Sequence, residues 1–226
     1  MLPADLLAAE AQTIEALQAA LTAEPRGRWT VEWRFEGLRL LAPALRLCAT
    51  LLATHRSTRL LFPDAGAAAL ARREAAALDI TILDFAELLR QPVSSADPDL
   101  LLAIAPSAAD YEDFERISTG HQGAIVMVNG RLEDAGVGIG SVGRERRRGF
   151  LAQWQSAYTI QPLATGALRR AYPGSWEIYR EDPDGFRFVA GFERRPDPEQ
   201  QALALNGMDL GSNLGAIDAF LEGLRS

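Results

Sequence analysis

The chain has 226 residues, of which 48% are apolar and 23% are charged, and its formal net charge is −7. This is the composition of a soluble globular protein, and we expect a single α/β domain over residues 1–226. All 23 basic residues are Arg, and the absence of Lys excludes a Walker-type phosphate lysine and a Schiff-base lysine. One Cys excludes an internal disulfide, and two His argue against a protein zinc site. We expect no metal and no cofactor, and the acidic balance argues against nucleic-acid binding.

The sequence predicts a cytoplasmic protein without a membrane span. Residues 1–7 carry no positive charge ahead of an apolar stretch, so we predict no signal peptide. The longest apolar runs, such as 100–106, fall far short of the ~20 residues that cross a bilayer. Peripheral contact with a membrane protein needs no span and stays open.

The first part of the chain, residues 1–128, alternates between helical and strand patterns. Helices are predicted over 4–22, 42–55, 65–78, 84–90 and 109–119, and strands over 29–35, 58–62, 80–83, 100–105 and 124–128. The last two strands are continuously apolar, as strands buried on both faces are. The alternating order predicts a mainly parallel, twisted sheet with helices on both faces.

The chain changes character after residue 128. We predict a Gly- and Arg-rich loop over 129–149, with a basic helix over 144–155. Within 150–226, strands are predicted over 158–163, 166–171, 176–180 and 186–192, and helices over 197–207 and 212–224. Asp184-Gly185 indicates a hairpin turn, because glycine accepts the positive φ that such turns need. We expect these strands to extend the sheet in antiparallel fashion.

A glycine-rich motif lies within the predicted loop. Gly138 and Gly140 open a segment that matches G-x-G-x-x-G, a pattern that binds a pyrophosphate between a strand and a helix. The preceding strand ends about ten residues too early, and no Asp or Glu lies between Glu145 and Glu177 to bind a ribose. The pattern favours a flexible loop over dinucleotide binding, and the two glycines remain candidates for binding a phosphate.

A cluster of arginines reverses the local charge of this acidic chain. Its guanidinium groups suit a phosphate, a carboxylate or an acidic partner surface, and the alternative is a solvated helix face. Aromatic and basic residues interleave downstream, as they do in interaction hot spots or in the core of antiparallel strands. The candidate partner-binding residues are Arg144, Arg146, Arg147, Arg148, Tyr158, Arg169, Arg170 and Tyr172.

Polar residues follow three of the predicted parallel strands. Asp64, Ser107 and Asn129 each come directly after a strand or one or two residues later. The carboxyl ends of parallel strands share one edge of a sheet, where α/β folds bind ligands. These residues are therefore candidate ligand-binding groups, and the alternative is that each caps the helix that follows it.

Several segments, in this order along the chain, carry a family resemblance. They are Leu61-Phe62-Pro63-Asp64, Ala105-Pro106, Val126-Met127-Val128-Asn129, Gln161-Pro162-Leu163 and the stretch from Gly166 to Trp176. In them the chain resembles the DUF1995 family, a domain of unknown function found in cyanobacteria and chloroplasts. That family includes the plant proteins called low photosystem II accumulation, type three, and it has no established catalytic residues.

The resemblance implies a photosynthetic organism and an accessory role in building a photosystem. We therefore expect a non-catalytic assembly factor that binds a protein partner, such as a photosystem subunit, from the cytoplasmic side of the thylakoid surface. The alternative from a different class is a small-molecule or phosphate-binding α/β protein that uses the carboxyl edge of its sheet.

Overall fold

The computed structural model describes residues 1–55, 57–91, 100–132, 145 and 148–207. Its strands are β1 (Arg28–Trp33), β2 (Thr58–Phe62), β3 (Thr81–Asp84), β4 (Leu100–Ile104), β5 (Ala124–Val128), β6 (Trp154–Leu163), β7 (Gly166–Ala171), β8 (Trp176–Asp182) and β9 (Gly185–Phe192). Its helices are α1 (Leu6–Ala23), α2 (Leu41–Leu52), α3 (Ala65–Glu74), α4 (Phe85–Arg90), a 3₁₀ turn (Ala108–Asp110), α5 (Tyr111–Gly120) and α6 (Pro198–Leu205), and residues 148–151 are also helical.

All nine strands belong to one mixed sheet in the order β3-β2-β4-β5-β1-β6-β7-β8-β9. The strands from β3 to β6 run parallel to their neighbours, and β7, β8 and β9 continue the sheet as an antiparallel meander. The predicted α/β class, with a parallel sheet extended by antiparallel strands, is confirmed. Both halves of the chain contribute to the same sheet.

Different helices cover the two faces of this sheet. We call the side packed against α1, α2 and α3 the α1 face, and the side packed against α4, α5 and residues 148–151 the α5 face. Side chains alternate between the faces along a strand. In β1, Trp29, Val31 and Trp33 are therefore buried on the α1 face, and Glu32 points to the other side.

The predicted basic helix over 144–155 is wrong at its carboxyl end, because Trp154 and Gln155 begin β6. Trp154 pairs with Arg28 of β1, and its ring stacks on Phe114 at 5.3 Å between centroids. Pairing with β1 and burial against an aromatic cluster outweigh the local helical pattern. The predicted helix over 212–224 lies outside the described residues.

Side-chain caps determine where several helices begin. Asp5 accepts a hydrogen bond from the backbone N–H of Ala8 at 2.8 Å at the start of α1. Asp197 and Gln200 bond reciprocally to each other's backbone N–H at the start of α6. Within the described part of the chain, each helix is either too short or too polar to span a bilayer.

Candidate functional site

The strongest candidate site lies where β4, β5 and β1 end side by side at the carboxyl edge of the sheet. The chain leaves β1 toward α2 on the α1 face, whereas β4 leads to α5 on the α5 face. β5 leads to residues 148–151, which also pack on the α5 face. Adjacent strands whose connections depart on opposite faces open a crevice, and α/β proteins bind ligands there.

A cleft of about 470 Å³ occupies this crevice, and the volume suits a small molecule. The segment that follows β1 forms one wall, and the residues after β4 and β5 form the other. Phe35, Leu38 and Leu40 supply apolar surface, and Ser107 and Arg131 supply polar groups.

Two residues of the cleft have left-handed backbone conformations. Ala105 has φ 50° and Asn129 has φ 53°, and each follows the last residue of its strand. This region costs residues with a Cβ some energy, and asparagine tolerates it better than alanine. The Ala105 N–H donates to the carbonyl of Val128, the last residue of β5, at 2.8 Å, and this bond holds Ala105 in place. Beyond the two strands, the Arg131 N–H donates to the Pro106 carbonyl at 2.8 Å and joins the segments that follow β4 and β5. Strained backbone of this kind collects at ligand sites.

The Asn129 side chain joins the ends of β5 and β1. Its Oδ1 accepts from the Trp33 N–H at 2.7 Å, and its Nδ2 donates to the Trp33 carbonyl at 2.9 Å. The amide thus gives the Trp33 backbone the pair of hydrogen bonds that a residue of a neighbouring strand would otherwise give. The side chain positions the cleft wall, and both of its polar ends are occupied by the backbone of β1.

Asp64 and Ser107 take part in helix starts. Asp64 Oδ1 accepts from the Ala67 N–H at 2.9 Å and caps α3. Ser107 donates its hydroxyl to Asp110 at 2.6 Å, and Asp110 also accepts from the Ser107 N–H at 2.8 Å. The three predicted residues share the carboxyl edge, since β2, β4 and β5 are neighbours. The cleft brings Ser107 and Asn129 together and does not include Asp64.

Two arginines at the cleft escaped the sequence analysis, and they differ in their contacts. Arg34 donates to the Gly130 carbonyl at 3.0 Å and lies 3.6 Å from Glu32, so its charge is balanced inside the fold. Arg131 is exposed, and its side chain has no hydrogen bond or ion pair with another described residue. The signal that could have found it is its position two residues after Asn129, beyond a buried strand.

Two residues of the predicted partner surface are built into the interior. Tyr158 is fully buried and donates its hydroxyl to Gln12 of α1 at 3.1 Å, and burial raises the pKa of this phenol to about 12. Arg169 donates to the same Gln12 at 3.1 Å and to Glu177 at 2.6 Å. Both side chains therefore connect α1 to the sheet.

The other described members of that set do not lie on one surface either. Arg170 points to the opposite face from Arg169, where it donates to the Ser156 carbonyl at 3.0 Å and lies 5.5 Å over the Trp176 ring. Tyr172 packs edge-on against Trp29 at 5.1 Å. Arg148 is exposed. The remaining predicted positions, Arg144, Arg146, Arg147, Gly138 and Gly140, lie outside the described residues.

A buried carboxylate on the α5 face also escaped the sequence analysis. Glu32 is 7% exposed and forms an ion pair with Arg195 at 3.1 Å. The Arg195 guanidinium lies 5.2 Å from the Trp176 ring centroid and donates to Gln161 at 2.9 Å. These contacts attach the segment between β9 and α6 to the middle of the sheet. The two charges are far apart in sequence, so no local pattern announces the pair.

Among the described residues, His, Cys, Asp and Glu do not gather in groups of three or more that could hold a metal ion. The sequence profile of one protein family, described as a domain of unknown function (DUF1995), matches residues 3–203. The matched range includes all nine strands and the cleft.

Proposed function

This chain belongs to the DUF1995 family, and we propose that it is a non-catalytic accessory factor that helps to assemble a photosynthetic complex like photosystem II. It acts through protein–protein contacts from the cytoplasmic side, at the thylakoid surface. The resemblance to the plant low photosystem II accumulation proteins supports this proposal.

The observation that carries the proposal is that side chains of the types that often take part in catalysis have structural roles in this fold. Asp64 caps a helix, Asn129 joins two strands, and burial raises the pKa of the Cys48 thiol to about 12. A binding role needs no activated nucleophile and no free base. It is therefore compatible with a fold in which these side chains cap helices, link strands or are buried in the core.

The proposed contact surface is the arginine cluster over residues 144–148. Its described member Arg148 is exposed and precedes Phe150, which anchors the helical residues 148–151 in the core. Arginine suits an acidic partner face, because its guanidinium group forms bidentate bonds with carboxylates. Tyr158, Arg169 and Arg170 are left out of this surface because they make internal contacts.

The test is affinity capture of the tagged full chain from extract of a photosynthetic host, with detection of chlorophyll-protein subunits by mass spectrometry. We expect capture that falls at least several-fold when Arg146, Arg147 and Arg148 are changed to Ala. The matched control changes three other exposed arginines, Arg26, Arg39 and Arg73, to Ala. Equal capture by the two triple variants would remove the proposed surface, and absence of any photosystem subunit would remove the function.

A second candidate function is small-molecule or phosphate binding in the carboxyl-edge cleft. The observation that favours it is the strained backbone of Ala105 in a cleft of ligand size. A ligand at 100 times its Kd adds about 2.7 kcal/mol to the free energy of unfolding. A thermal-shift screen of phosphates, nucleotides and carboxylates should therefore yield a stabilising compound.

The cleft offers a variant that separates binding from folding. Arg131→Ala should abolish the ligand's thermal shift while leaving the melting temperature of the free protein unchanged, because the Arg131 side chain has no described partner. Arg26→Ala removes an exposed charge elsewhere and should keep the shift. A flat response of the wild-type protein across the screen would count against this function.

A further inference from the structure

The α5 face of the sheet has a gap between two groups of helices. In the described residues, α4 and α5 form one apolar cluster with β2, β4 and β5, and α6 forms another with β7 and β8. β1 and β6 lie between these strands in the sheet. Most of their apolar side chains pack on the α1 face, whereas Thr30, Glu32 and Ser156 point into the gap. The middle of the α5 face is therefore polar.

A pocket of about 220 Å³, which we call the mid-sheet pocket, occupies this gap. It shares no lining residue with the carboxyl-edge cleft, so the two are separate sites. The volume lies below the range of about 300–1,000 Å³ that is usual for drug-sized ligands, which indicates a smaller molecule. We propose that the mid-sheet pocket binds the carboxylate group of a small organic acid.

Hydrogen-bond donors without an acceptor line the mid-sheet pocket. The Trp154 Nε1–H is buried and has no hydrogen-bond partner. The Thr30 hydroxyl has no partner among the described residues. The hydroxyls of Ser156 and Thr159 lie 3.0 Å apart, so one donates to the other and the second keeps a hydrogen to donate. A buried donor without an acceptor is costly, and an ionised carboxylate is a pure acceptor with about four lone-pair sites.

Positive charge exceeds negative charge around the same pocket. Arg34 and Arg195 share the carboxylate of Glu32, at 3.6 and 3.1 Å. Arg170 is half-buried and lies 5.5 Å over the ring of Trp176, which lines the pocket, and it has no carboxylate partner in the described part of the chain. Three described guanidinium groups thus face one carboxylate. An anion in the pocket would offset this excess, since charge pairs interact strongly away from water.

The remaining side of the mid-sheet pocket favours an organic acid over an inorganic anion. Met127, Leu132 and Leu151 supply apolar surface there, and the first two are buried. A short hydrocarbon group would be removed from water against these side chains, and this burial is favourable. Inorganic phosphate would satisfy the donors and leave the apolar surface without a partner.

The indole groups make binding visible at the pocket itself. Trp154 and Trp176 line it, whereas Trp29 and Trp33 are buried on the α1 face. In proton–nitrogen NMR spectra of the full chain, benzoate should move the Trp154 indole signal downfield, because its N–H gains a charged acceptor. The signal of Trp29, whose Nε1 is also buried without a partner, is the matched control and should stay in place. Half-saturation should come near about 1 mM, since so small a ligand makes few contacts.

Two matched comparisons test the chemistry. Thr30→Val removes one hydroxyl with little change of shape and should weaken benzoate binding about fivefold or more at an unchanged melting temperature. Thr81→Val makes the same change at an exposed position of β3 and should leave the affinity unchanged. Benzamide keeps the shape of benzoate without its charge and should bind at least about tenfold more weakly.

Five outcomes would each overturn the proposal. They are a Trp154 signal that neither benzoate nor butyrate moves, an equal movement of the Trp29 signal, unchanged affinity in Thr30→Val, equal binding of benzamide, and tighter binding of inorganic phosphate than of benzoate. Trp154→Phe removes the indole N–H, assigns its signal and should also weaken binding. The Thr30 comparison decides the matter if that variant fails to fold.

Discussion

The amide of Asn129 makes the sharpest prediction about the cleft, because a structural role and a ligand-binding role give different results. Its Nδ2 donates to the Trp33 carbonyl at 2.9 Å, and its Oδ1 accepts from the Trp33 N–H at 2.7 Å. Asn129 itself has φ 53°. Asn129→Ala removes both bonds and forces a Cβ residue with no local hydrogen bond into the left-handed region. Asn129→Gly removes the same bonds and accepts that backbone without strain.

The expected costs follow from these contacts. Two lost hydrogen bonds remove about 2 kcal/mol from the free energy of unfolding, at about 1 kcal/mol each. The left-handed conformation adds about 1–2 kcal/mol for alanine, so Asn129→Ala should cost about 3–4 kcal/mol. For Asn129→Gly the added term is the entropy of the unfolded chain, about 0.5–1 kcal/mol, and the total is about 2.5–3 kcal/mol.

Urea unfolding followed by tryptophan fluorescence measures both variants, with the slope of the free energy against urea checked for constancy. The reasoning requires that both variants lose stability in the absence of any ligand and that Ala is the less stable of the two. A loss below about 0.5 kcal/mol in Asn129→Ala would refute it, since a lost pair of backbone bonds costs more than that. The asparagine would then be available for a ligand.

Three further predictions concern the interior. Arg28 donates to the carbonyls of Ser118, His121 and Gly123, each at 2.8 Å, around the end of α5. Arg28→Met should therefore lower the free energy of unfolding in urea by about 2–3 kcal/mol and speed amide hydrogen exchange at the end of α5. Exchange at the wild-type rate in this variant would contradict the prediction. Glu10 is 5% exposed and pairs with Arg46 at 2.6 Å, so Glu10→Gln should cost about 1–2 kcal/mol. Glu15→Gln, at an exposed position on α1, should be near neutral. Burial raises the pKa of the Cys48 thiol to about 12, so the contribution of Cys48 to the free energy of unfolding should be full below pH about 8.5 and fall as the pH rises toward 12, because the thiol ionises first in the unfolded chain. Cys48→Ala should flatten the dependence of the free energy of unfolding on pH. Rapid labelling of Cys48 in the native protein by a thiol reagent at pH about 8 would contradict the burial argument.

Local pattern was sufficient for most of the secondary structure. The continuous apolar run over 124–128 predicts the observed bounds of β5, since a strand buried on both faces leaves few other readings for five consecutive apolar residues. The capping pair Asp197 and Gln200 predicts the start of α6 for a similar reason, because both partners lie within one turn. Trp154 shows the limit, since its pairing with Arg28 depends on a strand 126 residues earlier.

The candidate site shows the same division. Sequence reasoning brought Ser107 and Asn129 to one edge, because the carboxyl ends of parallel strands must meet there. It could not tell that the Asn129 amide is taken up by Trp33, that Arg169 is bound to Gln12 and Glu177, or that Arg170 points to the opposite face from its neighbour. These outcomes depend on which strands become neighbours in the sheet.

The sequence by itself determined the class of fold and the edge of the sheet where polar groups collect, because the periods of helix and strand and the chemistry of caps are properties of adjacent residues. Only the tertiary structure decided which of those groups remain free. A side chain such as Asn129 or Arg169 is engaged or available according to what the rest of the chain brings within about 3 Å of it, and that distance is set by the packing of elements far apart in sequence.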